Sequence, residues 1–123
     1  MNALLLVAHG SRRKESNDEV MVLAEQLKNG NLSEYASVHG AFLELAEPLI
    51  PDGIKRCVDG GATSVVVLPY FLNSGRHVVE DIPRIVADSA QQYPHVDIRI
   101  APHIGESALM QDLLIRSANS ALD

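Results

Sequence analysis

The sequence predicts an α/β domain, a four-stranded parallel sheet with flanking helices, on three observations. Strand-like and helix-like segments alternate four times along 123 residues. Residues 4–8 and 65–72 are strongly apolar runs, as strands buried on both faces of a parallel sheet are. The intervening segments carry their apolar residues at helical spacing. Such alternation joins parallel strands by right-handed crossovers. No linker, low-complexity tract or strong internal repeat breaks the chain, so residues 1–123 are read as one domain.

The elements follow in order. Residues 3–8 form the first strand. Residues 16–29 form the first helix, with Val20, Leu23, Ala24 and Leu27 on one face and Gly30 as its stop. Residues 35–43 form the second strand. Residues 47–60 form the second helix, with Pro48 in its first turn and Gly60-Gly61 closing it. Residues 63–71 form the third strand. The third helix spans residues 82–92, with Pro83 tolerated in its first turn. Residues 96–101 alternate Val96, Ile98, Ile100 as the fourth strand. Residues 106–121 form the fourth helix, with Leu109, Met110, Leu113 and Leu114 apolar. A four-stranded sheet is small, and such a unit completes itself by pairing with a second copy, so a homodimer is expected.

Composition narrows the function classes. The hydrophobic share of 46% excludes a disordered chain. No apolar run reaches the ~18–20 residues of a membrane span, and the first residues do not read as a signal peptide. Cys57 is the only cysteine, which suits a reducing cytoplasm. Ten basic against 16 acidic residues give a net charge of −6, which argues against nucleic-acid binding. The charge is uneven, however: Arg12, Arg13 and Lys14 follow the first strand, where they suit an anionic ligand as well as a solvated helix start.

Ligands of open α/β sheets bind beyond the carboxyl ends of the strands. His9 follows the first strand and leads into Gly10-Ser11-Arg12. His77 follows the third strand and the turn Asn73-Ser74-Gly75-Arg76. Each alone is compatible with a backbone-satisfied histidine, His77 pairing with Glu80 or Asp81. As a pair at one rim they suit metal binding and proton transfer. Glu44, at the end of the second strand, adds a carboxylate able to orient a histidine, hold a metal or relay protons. Glu47 fits an ordinary helix-start carboxylate better. Ser11, Arg12, Ser74, Gly75 and Arg76 add donors for a carboxylate or oxyanion. His39 reads as a packed or edge residue and His95 as a solvated turn residue. His103 stands at the same rim and is a candidate to line the site. No P-loop, G-x-G-x-x-G, C-x-x-C or H-E-x-x-H occurs.

Five blocks in order carry a resemblance: residues 5–12 (LLVAHGSR), 42–48 (FLELAEP), 67–72 (VLPYFL), Gly75-Arg76-His77-Val78 with Glu80-Asp81-Ile82-Pro83, and 98–102 (IRIAP). Over nearly its whole length the chain resembles the short-form sirohydrochlorin chelatases, the CbiX-like branch of the class II tetrapyrrole chelatases. That resemblance implies a single flavodoxin-like, chelatase-like half-domain that pairs as a homodimer around one cleft. It implies insertion of Co²⁺ or Fe²⁺, with Ni²⁺ possible, into sirohydrochlorin for cobalamin or sirohaem. It implies metal-handling and proton-accepting roles for His9 and His77, and matches Glu44 to the family's strand-end glutamate. The divalent metal is then a substrate, and no permanently bound cofactor is expected. Arg76 and His103 depart from the pattern, standing where a smaller residue and a proline are expected.

The chemistry is consistent with these residues. Metal insertion releases two pyrrole protons, which a histidine near its operating pH accepts well. Two imidazoles hold Co²⁺, Fe²⁺ or Ni²⁺ without the grip of thiolates. Two other classes use similar features: a non-catalytic metal or tetrapyrrole binder, and a phosphohistidine carrier in which His9 is phosphorylated. The carrier reading leaves His77 and Glu44 without a task. A histidine-phosphatase reading wants Arg-His-Gly, and here Ala8 precedes His9.

Overall fold

The computed structural model describes residues 1–30 and 34–122. The remaining residues of the expected 1–123 domain lie outside the described ones. Its elements run β1 (Asn2–Ala8), α1 (Lys14–Asn29), β2 (Ser37–Phe42), α2 (Ile50–Asp59), β3 (Ser64–Pro69), a π-helical turn (His77–Asp81), α3 (Ile82–Ala90), β4 (Asp97–Ile100) and α4 (Met110–Asn119). The strands form one parallel sheet in the order β2-β1-β3-β4. The expected four-stranded parallel α/β fold is the one observed.

β1 explains the first apolar run. It lies between β2 and β3, with Leu5 in register with both His39 and Val67. Every residue from Ala3 to Ala8 is buried. Side chains alternate across a strand, so Leu4 and Leu6 pack with Ala24 of α1 and Val38 on one face. Leu5 and Val7 pack on the other with Ile54 and Cys57 of α2 and with Ile82 and Val86 of α3. Both faces of β1 are therefore apolar, and no polar position interrupts it.

Several boundaries differ from expectation. α1 begins at Lys14, because Asn17 braces the preceding turn: its amide accepts from the Ser11 N–H (2.9 Å) and donates to the Ser11 carbonyl (2.7 Å). α2 begins at Ile50, and Pro51 is the proline of its first turn. Pro48 instead follows a cis peptide bond in the loop, its carbonyl accepting from the Phe42 N–H (2.8 Å). Glu47 is thereby outside the helix start, where Asp52 stands. β3 ends at Pro69, and the helical path to α3 begins at His77, ahead of the expected residue 82.

The largest departure is α4. It is amphipathic as expected but shorter, and none of its residues is buried. Leu109 just before it is 75% exposed, and Leu113, Leu114 and Ile115 are all more than half exposed. With Ile104 and Met110, two of these leucines line an apolar groove of about 400 Å³. Among the described residues, no helix is long and apolar enough to cross a membrane.

Candidate functional site

The strand order locates the site. After β1 the chain crosses to β2 on one side, and after β2 it crosses to β3 on the other. The carboxyl ends of β1 and β3 are thus the point where loops diverge and a crevice opens. His9 leaves the end of β1. His77 opens the helical turn after β3. Their ring centroids are 4.8 Å apart, with planes inclined at 60°.

Glu44 is brought to His9 by backbone pairing that continues past the strand ends. The Leu43 N–H donates to the Ala8 carbonyl (2.9 Å), and the Glu44 N–H to the His9 carbonyl (3.0 Å). Gly10 makes this approach possible. Its φ is +96°, and a Cβ there would lie 1.8 Å from the Glu44 carbonyl oxygen. Only glycine fits such a conformation at such a contact. The Glu44 carboxylate then stands 3.7 Å from His9 Nε2.

Each imidazole is oriented through Nδ1. His9 Nδ1 lies 2.8 Å from the Gly10 carbonyl oxygen, which can only accept, so in the neutral ring Nδ1 carries the hydrogen. His77 Nδ1 lies 2.8 Å from Asp81 Oδ2, again an acceptor. Asp81 is largely shielded, and Arg84 approaches its other oxygen at 3.6 Å. Both rings therefore keep an Nε2 lone pair for a ligand, with the other nitrogen fixed by a protein acceptor. Outer hydrogen bonds commonly orient metal-binding histidines in this way. Sequence reasoning treated Asp81 only as a candidate partner in the ordinary reading of His77, and it missed Asn17. The i, i+4 spacing of His77 and Asp81 was the available signal for the first.

Two imidazoles with one nearby carboxylate make an open donor set. Among the described residues no group of three or more His, Cys, Asp or Glu side chains is placed to hold a metal ion together.

The other expected residues occupy the surrounding loops. Ser11 is half-buried, and its hydroxyl oxygen accepts from the Arg13 N–H (3.0 Å). Arg12 is exposed and has no carboxylate partner among the described residues. Ser74 and Gly75 lie on the exposed loop before His77; the Gly75 carbonyl accepts from Val78 and Val79, so this residue starts the helical turn. Arg76 is exposed but has Glu80 at 3.4 Å, which partly neutralises it. His103 is mostly enclosed after β4, with Nδ1 3.5 Å from Glu106. His39 sits on the edge strand β2, and His95 is exposed in a turn.

The CbiX family model matches residues 3–121. The chain belongs to the CbiX family. It is 38% identical over 113 residues to the chloroplastic sirohydrochlorin ferrochelatase of Arabidopsis thaliana, covering 92% of this chain and 49% of that protein. It is 35% identical to the sirohydrochlorin cobaltochelatase of Sulfolobus acidocaldarius, covering 99% of this chain and 94% of the relative. Among solved structures, SirB from Bacillus subtilis with Fe³⁺ superposes with a TM-score of 0.86 at 32% identity, over 98% of this chain and 47% of SirB. The chain spans roughly half the length of the first curated relatives it matches, between 44% and 59%.

Proposed function

We propose that this CbiX-family chain is a sirohydrochlorin chelatase, inserting Co²⁺ or Fe²⁺ into the tetrapyrrole in cobalamin or sirohaem biosynthesis. The observation that carries the reading is the His9–His77 pair at the β1/β3 crevice, each ring keeping an Nε2 lone pair. The relatives named for cobalt and for iron insertion support the substrate class.

His9 and His77 present Nε2 to the incoming metal. Neutral imidazoles bind it without thiolate strength, so it can be passed on. Insertion replaces two pyrrole N–H protons by one M²⁺, and both protons must leave the macrocycle. Each histidine, once it has released the metal, accepts one of the two through Nε2, and Glu44, 3.7 Å from His9 Nε2, passes the His9 proton toward solvent. Asp81 and the Gly10 carbonyl hold the rings in the tautomer this requires. Sirohydrochlorin is rich in carboxylates. The donors for them are Arg12, whose guanidinium has no carboxylate partner among the described residues, the Ser11 and Ser74 hydroxyls, the backbone at Gly75, and Arg76 competing with Glu80.

The functional unit in this reading is a homodimer of single domains, residues 1–123, acting in the cytoplasm. The exposed apolar face of α4 supports the pairing, and the lone, buried Cys57 thiol suits a reducing compartment. The metal enters as substrate, with no permanently held cofactor.

The test is anaerobic insertion into sirohydrochlorin followed by absorbance, with Co²⁺, Fe²⁺ and Ni²⁺ in turn against protein-free controls. His9→Ala and His77→Ala should each lower the enzymatic rate by about a hundredfold or more, the scale of a lost acid–base group, with the fold intact by circular dichroism. Metal and tetrapyrrole binding without acceleration would replace the enzyme by a non-catalytic binder. Phosphoryl transfer to His9 would point to the carrier class.

A further inference from the structure

Of the ten lysine and arginine side chains, seven have a carboxylate oxygen within 4 Å. Among the described residues Arg12, Lys28 and Arg56 do not. Arg12 belongs to the rim. Lys28 and Arg56 meet elsewhere, along the free edge of β2, where with His39 and Glu25 they line a groove of about 230 Å³.

This arrangement runs against the charge of the molecule. On a chain of net charge −6, two cations without carboxylate partners converge beside a half-buried histidine. Lys28 and Arg56 each stand in the last turn of their helix, a position that favours a cation by itself. Charges beside an edge strand also discourage strand-to-strand association. Neither effect requires the two cations to share one groove with His39. Burial, then the charges of Arg56 and Lys28, push the His39 pKa below its ordinary value. Glu25 is the one carboxylate on the groove's lining, set against the two cations.

We propose that this groove binds a compact oxyanion carrying at least two negative charges, of phosphate or polycarboxylate type, between Lys28, Arg56 and His39. The volume lies below the ~300 Å³ at which drug-sized pockets begin, which sets the ligand's size. Arg56 offers a planar fork for two oxygens and Lys28 a mobile point charge. His39 donates a ring N–H from the strand. Glu25 opposes binding and leaves the groove with a small positive excess. The site lies on the outer edge of the sheet, apart from the β1/β3 crevice, and does not depend on the chelatase reading.

A bound anion favours protonated His39. Affinity should therefore rise as pH falls from about 8 to about 6; the charged groups that share the groove with His39 are Glu25, Lys28 and Arg56.

The experiment is an NMR titration of the intact protein with inorganic pyrophosphate at low ionic strength, where charge is least screened. Shifts are expected at the Arg56 side-chain N–H and the His39 ring. Arg56→Gln and Lys28→Gln should each weaken binding by about tenfold, the scale of one charge-assisted hydrogen bond. Arg56→Lys should retain part of the affinity, and His39→Asn should flatten the pH dependence. A parallel citrate titration separates phosphate from carboxylate preference. The same spectra report whether each variant is folded. Absence of groove shifts at millimolar pyrophosphate, shifts confined to the Arg12 loop, or unchanged affinity in a folded Arg56→Gln protein would each overturn the proposal.

Discussion

α2 and α4 are both ten residues long and both amphipathic, yet α2 buries Ile50, Gly53, Ile54 and Cys57 while α4 buries nothing. Ile54 is completely enclosed among Leu5, Val7 and their neighbours. Leu113 and Leu114, at similar helical spacing, are 55% and 60% exposed. The helical period dictates that an apolar face exists, but not which surface covers it. α2 finishes its packing within the chain. α4 carries a face whose completion, in the proposed dimer, comes from a second copy.

The sharpest way to test this contrast is to remove the same kind of atoms from each helix. Ile54→Ala should destabilise the chain by about 2–5 kcal/mol in denaturant unfolding, because the surrounding core cannot collapse into the space. Losing less than about 1 kcal/mol would mean that α2 is not packed as described. Leu113→Glu should act on assembly: by sedimentation, the variant should run as one copy where the wild-type chain runs as two. Its secondary structure should be preserved. A wild-type chain that sediments as a single copy at every concentration would remove α4 as a dimer interface.

The same contrast marks how far the sequence could be read. The continuous apolar run of β1 and the alternating helices follow from burial on both sheet faces, and four parallel strands were legible from them. His9 and Glu44 were legible because strand ends define the rim. The meeting of His77 with His9 was inferred from topology, and the i, i+4 spacing of His77 and Asp81 offered its partner, but which ring nitrogen that pairing leaves free was not legible, because spacing does not fix the ring's orientation. The start of α2 was misplaced by two nearby prolines: Pro48 and Pro51 both suit a first turn, and the loop hydrogen bond from Phe42 decides between them. The exposed face of α4 was invisible for the reason given above.

Burial by α2 also has electrostatic consequences that α4 lacks. Desolvation raises the Cys57 thiol to about 11, so a thiol reagent at neutral pH should leave it unmodified until the chain unfolds. Rapid labelling of the folded protein would show that α2 opens locally. His39, desolvated by partial burial and then under the charges of Arg56 from α2 and Lys28 from α1, has its folded pKa depressed below 6.5. The unfolded chain therefore binds the proton first as pH falls. The stabilising contribution is complete above about pH 6.5 and is lost as pH drops toward the folded value. His39→Asn should accordingly lose less thermal stability than the wild type on moving from about pH 7 to about pH 5, apart from the losses common to both. Equal slopes would show that His39 is not desolvated as described.

The smallest effect belongs to α4. Arg116 and Asp112 are paired at 3.0 Å on adjacent turns, but both side chains are mostly exposed. Water screens such a pair and side-chain entropy opposes it, leaving about 0.3–0.5 kcal/mol. Arg116→Ala should therefore change unfolding free energy by no more than about 0.5 kcal/mol, and less in high salt. Arg116 also lines the α4 groove with Leu109 and Leu113. If the substitution leaves the unfolding of a single copy unchanged but weakens association, the groove is part of the interface; if unfolding of the single copy suffers by more than about 1 kcal/mol, α4 is integrated into its own domain and its contrast with α2 fails.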